Sequence, residues 1–162
     1  MTDGEGRMTD DRGRIRLCPP PLVIRQFELG TDYDAVYDLW SRSAPGVRLS
    51  RISDRREEIA KKLLRDPDLF LVAEADGRIV GAVLGGYDGR RGMVYHLAVD
   101  EAYRGQGIGL ALMCELEARL AAKGCVKYYL LVSEENTGAR AFYERFGFED
   151  MPYLIMGKDI VT

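Results

Sequence analysis

Residues 95–113 read YHLAVDEAYRGQGIGLALM and join a β-like run to a helical run through a glycine-rich turn. Gly105, Gly107 and Gly109 stand at alternate positions just before the apolar part of the helical run. Such a turn leaves several backbone N–H groups without partners and points the positive end of the helix dipole at one place. The stretch therefore indicates either a tight turn with a purely structural role or a site where backbone N–H groups bind a phosphate.

Length, composition and charge favour a single globular domain. The chain has 162 residues, 46% of them hydrophobic, which suffices for one core and is too short for two ordinary domains. Its 23 Lys and Arg and 26 Asp and Glu residues give a net charge of −3. No basic field would draw such a chain to nucleic acid or to an anionic membrane, so we expect neither partner.

The cysteines and the histidine do not predict a metal site. Cys18, Cys114 and Cys125 form no CxxC pair, and His96 is the only histidine. We expect Cys114 and Cys125 to pack as small apolar groups. No run approaches eighteen apolar residues, and no apolar signal-peptide core stands near the N-terminus, so a cytoplasmic protein is expected.

The N-terminal residues differ in composition from the rest of the chain. Residues 1–21 are polar and rich in glycine, and they end in three prolines. We interpret them as a disordered leader, in which Met8 is an alternative start to Met1. The remainder, residues 22–162, is predicted to form a single domain.

From residue 22 onward, apolar periodicity alternates between strand and helix spacing. Asp76-Gly77 and Asp88-Gly89 are turn dipeptides that separate three β-like runs within residues 69–99, which predicts antiparallel hairpins. A helix is expected to begin behind a cap at Thr31 or Asp32. The full order, β-α-α-β-β-β-α-β-α-β-β, predicts an α/β (α+β) fold: a mixed, mostly antiparallel central sheet of about seven strands with helices on both faces. The predicted segments are strands at 22–27, three runs within 69–99, 126–132, 148–151 and 153–160, and helices at 32–43, 54–66, 110–124 and 136–146.

A second motif follows the glycine turn. Residues 95–113, together with ENTGARAFYERFGF at residues 135–148, resemble the acetyl-coenzyme A binding signature of the GNAT superfamily of N-acetyltransferases, whose turn reads Arg/Gln-x-x-Gly-x-Gly/Ala. Arg104, Gly107 and Gly109 match that turn. The dinucleotide fingerprint G-x-G-x-x-G fits less well, because the spacing here is G-x-G-x-G and the unit follows a hairpin.

The resemblance implies how acetyl-coenzyme A would bind. Backbone N–H groups of the turn would hold the pyrophosphate, and one strand would pair with the pantetheine arm as though the arm were another strand. Asn136 would bond a pantetheine amide, or serve as a helix N-cap, and these two roles are compatible. The implied coenzyme-binding residues are Leu97, Ala98, Val99, Arg104, Gly105, Gln106, Gly107, Ile108, Gly109, Asn136 and Phe142.

The resemblance also implies the catalytic acid but not the base. Tyr143 matches the tyrosine that protonates the departing thiolate, although it could instead be a packed aromatic residue. Relatives carry a glutamate base at the positions of Met93 or Leu131, and both positions are apolar here. A water relay or an amine that arrives neutral is therefore the better interpretation.

Several polar residues remain candidates for the acceptor side. Tyr95 shares a strand face with Met93 and is a candidate contact for the acceptor or for water. His96 is expected on the opposite face, as a core histidine more than as a base, although imidazole titrates near neutral pH. Arg51 is a candidate contact for the acceptor. It lies in an arginine-rich segment whose other interpretation is an ordinary solvent-exposed surface. The remaining polar candidates are Arg42, Arg48, Arg55, Arg56, Glu134 and Glu135.

These features predict a transferase, specifically an N-acetyltransferase (acyltransferase). It would move the acetyl group of acetyl-coenzyme A directly to an amine within a ternary complex, without a metal ion. A small-molecule amine is the preferred acceptor. The alternatives are a protein or peptide N-terminal acetyltransferase, disfavoured by Leu131, and a coenzyme A sensor without turnover. A monomer and a homodimer are both compatible with the sequence.

Overall fold

The computed structural model describes residues 7–9, 15–17 and 21–160. Two short strands, β1 (Arg7–Thr9) and β2 (Ile15–Leu17), pair antiparallel in a small sheet of their own. The predicted leader otherwise lies outside the described residues, so its disorder stays a prediction.

The central sheet contains five strands in the order β3-β4-β5-β6-β7. Neighbouring strands run antiparallel except for β6 and β7, which are parallel. The predicted hairpin turn between β4 and β5 is confirmed, because Asp76 and Gly77 both have positive φ angles, +52° and +71°. The strands are β3 (Leu22–Gln26), β4 (Phe70–Ala75), β5 (Arg78–Tyr87), β6 (Gly92–Val99) and β7 (Tyr128–Leu130).

Within the described residues, four α-helices surround the sheet: α1 (Leu29–Arg42), α2 (Arg56–Arg65), α3 (Ile108–Ala122) and α4 (Thr137–Arg145). The predicted cap of α1 at Thr31 or Asp32 is wrong, because the helix begins three residues before Asp32. The Asp32 carboxylate instead reaches back and accepts a hydrogen bond from the Glu28 N–H group at 2.8 Å. A side chain inside the helix thus satisfies the N-cap donor, as in a capping box, although Asp32 stands one residue further along the helix than the acid of that motif.

The two faces of the sheet carry separate apolar cores, which confirms the prediction of helices on both faces. On one face α3 packs against the sheet through Leu112, Met113 and Leu116, which are fully buried. On the other face Trp40 of α1 stacks on Phe70 of β4 with ring centroids 5.7 Å apart, and Ile59 of α2 joins the same core. These two covering layers fix the position of β6, the strand whose residues line both cavities described below.

The prediction of about seven strands is not confirmed. Within the described residues no strand follows α4, and the C-terminal segment 149–160 is exposed along its whole length. Its apolar side chains meet little protein: Leu154 and Met156 are 86% and 87% exposed. This segment has no neighbouring strand with which to form hydrogen bonds, so its β propensity alone does not produce a strand.

Candidate active site

The glycine turn connects β6 to α3 and presents free N–H groups at the start of that helix. Gly105 and Gly107 have φ angles of +76° and +81°, a region in which residues with a Cβ atom are strained. The Gly107 carbonyl accepts a hydrogen bond from the Ala111 N–H group at 3.0 Å. Among the described residues, no backbone carbonyl accepts the N–H groups of residues 105–110. The turn can therefore bind an anion at the positive end of α3.

A cleft of about 780 Å³ contacts this turn, with β6 and α4 as its other walls. It brings together every predicted coenzyme-binding residue except Gln106. Sequence reasoning missed the loop after α1, residues 43–46, which also lines the cleft. No sequence signal marks this loop as part of the site, since it joins the cleft only through the packing of α1 on the sheet.

The strands β6 and β7 separate before the end of β6. Their parallel ladder joins only Gly92, Met93 and Val94 to β7. Residues 96–99 pair with β5 on one side, and in the part of the chain that the structure describes residues 95–99 pair with no strand on the other. This backbone edge is available to an extended ligand.

The catalytic acid and the helix cap that the sequence predicts lie on the α4 side of the cleft. The Tyr143 ring packs against Phe142 and Phe148, at centroid distances of 5.2 and 5.6 Å. Burial raises the pKa of Tyr143 to about 12, so its hydroxyl stays protonated at neutral pH. The Asn136 side chain accepts a hydrogen bond from the Ala139 N–H group at 3.1 Å, which confirms its role as an N-cap.

A second cavity of about 790 Å³ lies on the side of the sheet that α1 and α2 cover. Pro45 and Gly46 line both cavities, so the two spaces approach each other at this loop. Tyr95 and His96 of β6 form part of the second cavity, whereas Leu97 lines the first. Consecutive residues of one strand therefore serve both cavities.

A β-bulge explains why both Tyr95 and His96 reach the second cavity. Leu84 of β5 pairs with His96, but the next residue, Gly85, pairs with Val94, so Tyr95 is an extra residue on β6. The extra residue interrupts the alternation of side chains along the strand. The prediction that His96 points away from the Tyr95 face is therefore wrong.

His96 binds a buried carboxylate in the second cavity. Its Nε2 atom lies 3.0 and 3.1 Å from the two carboxylate oxygens of Asp54, which is 4% exposed. The sequence did not predict Asp54 as a site residue. The two residues are 42 positions apart, and the carboxylate resembles an ordinary acid before a helix, so no local signal links them.

Basic and acidic side chains share the lining of the second cavity. Lys62 donates to Asp66 at 2.6 Å, and burial lowers the pKa of Lys62 below its usual range, an effect that this ion pair only partly opposes. Arg48, Glu134 and Glu135 also line the cavity.

Arg51 lies outside the lining of both cavities. It is exposed, and its carbonyl accepts a hydrogen bond from Arg55 Nε at 2.7 Å. Of the other arginines in this segment, Arg42 pairs with Asp38 and Asp100, and Arg56 pairs with Asp34. Most of the segment is therefore engaged with the protein itself, and Arg48 is its member within the second cavity.

The two apolar positions and the two cysteines considered in the sequence place no carboxylate or thiol in either cavity. Met93 and Leu131 are apolar, and Leu131 lines the second cavity with 61% of its surface exposed. The prediction that Cys114 packs as an apolar group is wrong, because it is exposed. Cys125 is half-buried, and its thiol lies 3.3 Å from the Lys127 carbonyl.

Within residues 7–9, 15–17 and 21–160, no group of three or more His, Cys, Asp or Glu side chains is arranged to hold a metal ion. In the same ranges, no helix has both the length and the apolar character needed to cross a membrane.

Comparisons with known proteins identify the class. A family model described as "Acetyltransferase (GNAT) family" matches residues 33–148, most of the chain, so the protein is an acetyltransferase and hence an acyltransferase. It belongs to the GNAT family. An acetyltransferase of Pectobacterium atrosepticum is 44% identical over 130 residues, covering 80% of this chain and 90% of its own. An acetyltransferase of Yersinia pestis is 41% identical over 141 residues, covering 87% and 97%.

Solved structures share the fold. Ard1 from Thermoplasma volcanium superposes with a TM-score of 0.69 at 26% identity, covering 79% of this chain and 82% of its own. The PaiA N-acetyltransferase of Thermoplasma acidophilum, solved in complex with coenzyme A, gives a TM-score of 0.67 at 21% identity and covers 80% and 90%. The mixed α/β fold with one five-stranded sheet and four helices is thus a GNAT-like fold.

Proposed function

We propose that this acetyltransferase takes its acetyl group from acetyl-coenzyme A and transfers it to an amine, preferably that of a small molecule. The observation that carries the proposal is the row of free N–H groups at residues 105–110, which opens onto the same cleft as the unpaired edge of β6 and Tyr143. A ligand with a phosphate at one end and an extended amide-bearing arm matches both features.

Different residues of the cleft would bind the coenzyme and take part in the reaction. The amides of the glycine turn would hold the pyrophosphate, and Leu97 to Val99 would bond the pantetheine arm through their backbone. Acetyl-coenzyme A supplies an activated thioester. Tyr143 would donate its hydroxyl proton to the departing sulfur, since a tyrosine hydroxyl carries its proton at neutral pH.

The second cavity is the proposed acceptor site. It is lined by Tyr95 and His96, which precede on β6 the residues that would bind the pantetheine arm, and it combines acidic and basic side chains with an apolar wall. A cavity of this volume suits a small amine, because small-molecule sites occupy roughly 300–1,000 Å³. Glu134 and Glu135 would attract the ammonium form of such an acceptor.

Thermal denaturation and a thiol-release assay test the proposal. Acetyl-coenzyme A at 100 times its Kd should stabilise the protein by about 2.7 kcal/mol, since it binds only the native state. Release of free thiol with ethanolamine, putrescine or glucosamine supports the small-molecule acceptor. Release only with peptides supports the N-terminal alternative, and stabilisation without thiol release supports a sensor. Absence of stabilisation at millimolar acetyl-coenzyme A refutes the proposal.

A further inference from the structure

We propose that His96, oriented by Asp54, is the general base that removes a proton from the acceptor's ammonium group. The inference rests on the acetyl transfer proposed above and adds the base that neither Met93 nor Leu131 can supply. It assigns a catalytic role to His96 and a positioning role to Asp54.

The position of His96 suits a group that acts between the two substrates. The β-bulge turns its side chain into the second cavity, while the next residue, Leu97, lines the coenzyme cleft. The side chain is 13% exposed, so the ring is largely shielded and still reaches the cavity. Trp40 restrains the ring from the other side, with the two centroids 4.8 Å apart.

Asp54 fixes the orientation of the imidazole. Its carboxylate, which is buried, also accepts a hydrogen bond from the Ser50 N–H group at 2.7 Å, and its carbonyl accepts one from the Tyr33 hydroxyl at 2.8 Å. The carboxylate is therefore held rigidly while both of its oxygens face Nε2 of His96. A carboxylate in this place favours the tautomer with hydrogen on Nε2 and leaves Nδ1 as a proton acceptor.

The charged groups around His96 favour an ammonium acceptor. Asp54 faces the ring from the loop before α2, and Lys62 of α2 is already paired with Asp66. Two glutamates on the loop after β7 bring negative charge to the cavity. The remaining titratable or charged groups of this lining are Arg48, Tyr95, Glu134 and Glu135.

The step balances in protons and bonds. One proton of the ammonium passes to Nδ1 of His96 and later to solvent. The freed lone pair forms the C–N bond, the C–S bond breaks, and Tyr143 donates its hydroxyl proton to the sulfur. The acceptor nitrogen then releases the second of its three original protons to Tyr143, which restores the hydroxyl. The third proton stays on the nitrogen of the amide product.

Nuclear magnetic resonance of the wild-type protein tests the geometry without any substitution. His96 is the only histidine of the chain, so a protein without a histidine tag gives a single imidazole signal set in a long-range ¹H–¹⁵N spectrum. We expect the neutral ring to carry its hydrogen on Nε2. A neutral ring with hydrogen on Nδ1 overturns the proposal, because the nitrogen free of Asp54 could then accept no proton.

Kinetics tests the chemistry, with thiol release from acetyl-coenzyme A as the readout. We expect His96→Gln to lower kcat/KM for ethanolamine by about 10²-fold or more and to change the dependence of kcat/KM on pH, because the variant has no base at this position. The loss should be smaller with glycinamide, a weaker base that is more often neutral. Asp54→Asn should change the same pH dependence. Asp32→Asn, which alters another buried carboxylate that lines neither cavity, should change stability alone.

Two outcomes separate this inference from the proposed function. If the wild type is active but His96→Gln keeps the wild-type rate and pH profile, His96 only ties the sheet to the loop and the inference is wrong. If acetyl-coenzyme A neither stabilises the wild type nor is consumed with any amine, the proposed function fails and the base assignment fails with it. Should His96→Gln not fold, the tautomer and the pH profile of the wild type decide the question.

Discussion

Tyr143 gives the most direct test of the proposed chemistry. Replacement of Tyr143 by phenylalanine removes the hydroxyl and keeps the ring that packs against Phe142 and Phe148. We expect kcat for thiol release to fall by about 10²-fold or more, while the Kd for coenzyme A changes little. Stopped assays and calorimetry measure the two quantities.

Tyr153→Phe is the matched control, since Tyr153 is 78% exposed in the C-terminal segment. Because the pKa of Tyr143 is raised to about 12, we also expect no loss of rate from its ionisation up to pH 10. An unchanged kcat in Tyr143→Phe would show that the ring is only a packing residue.

Gly107 tests whether the turn binds a phosphate. Gly107→Ala places a methyl group at a φ of +81°, which costs about 1 kcal/mol of folding stability. The methyl group would meet no protein atom within 4 Å, so it would stand in space that is open to a bound phosphate. We expect coenzyme A to bind about tenfold more weakly, a change of about 1.4 kcal/mol by calorimetry. Gly77→Ala, at a φ of +71° in a remote hairpin, is the control with similar strain and normal affinity. Equal affinities of the two variants would contradict a phosphate site at the turn.

Local patterns revealed some site residues and could not reveal others. The glycine turn and the Asn136 cap follow from neighbouring residues, whereas Tyr143 was assigned through the resemblance to the family and its catalytic role stays a prediction. Asp54 and the orientation of His96 depend on a β-bulge and on the packing of a loop on the sheet. Neither leaves a periodic trace in the sequence.

The start of α1 is stabilised by one buried carboxylate. Arg25 contacts both oxygens of Asp32, at 2.6 and 3.0 Å, and the Glu28 N–H group donates to the same side chain. Burial alone would raise the pKa of Asp32, but these hydrogen bonds outweigh it and hold the pKa below its ordinary value. The native state therefore gains stability from ionised Asp32 above the unfolded-state pKa and loses it as pH falls through the folded-state pKa.

We expect Asp32→Asn to lower the free energy of unfolding by about 2 kcal/mol at pH 7. The difference from the wild type should shrink as the pH falls through the acidic range, because protonated Asp32 no longer pairs with Arg25. Urea denaturation at pH 7 and at acidic pH measures both effects. Asp38→Asn, which breaks an exposed pair with Arg42, should cost at most about 0.5 kcal/mol at either pH. A pH-independent deficit in Asp32→Asn would argue against this account.

The secondary structure of the buried strands and of helix α3 was predicted correctly, whereas that of the C-terminal segment was not. The hairpins β4–β6 and the helix α3 are specified by apolar spacing and glycine turns, and the structure confirms them. The apolar run at residues 153–156 has β propensity of the same kind. It forms no strand because strand formation requires a hydrogen-bonded neighbour, which the sequence of a single segment does not specify.

Two cavities that share Pro45 and Gly46 in their linings predict the kinetic order of the reaction. Both are open in one structure, so both substrates can bind at once and the acetyl group can pass directly between them. We expect initial rates against acetyl-coenzyme A, at several fixed amine concentrations, to give intersecting reciprocal plots. Cys114→Ser should keep the full rate, because this cysteine lines neither cavity. Parallel plots and a trapped acetyl-enzyme would instead indicate a covalent intermediate.

The unpaired half of β6 has a further consequence in the free protein. An open strand edge is a template on which extended segments of other chains can pair, and proteins normally protect such edges. If the pantetheine arm caps this edge, those amides of residues 95–99 that point away from β5 should exchange deuterium quickly in the free protein and slowly once coenzyme A is added. Bound coenzyme would then protect the enzyme from aggregation through this edge. The tendency of the enzyme to aggregate would therefore depend on the coenzyme concentration.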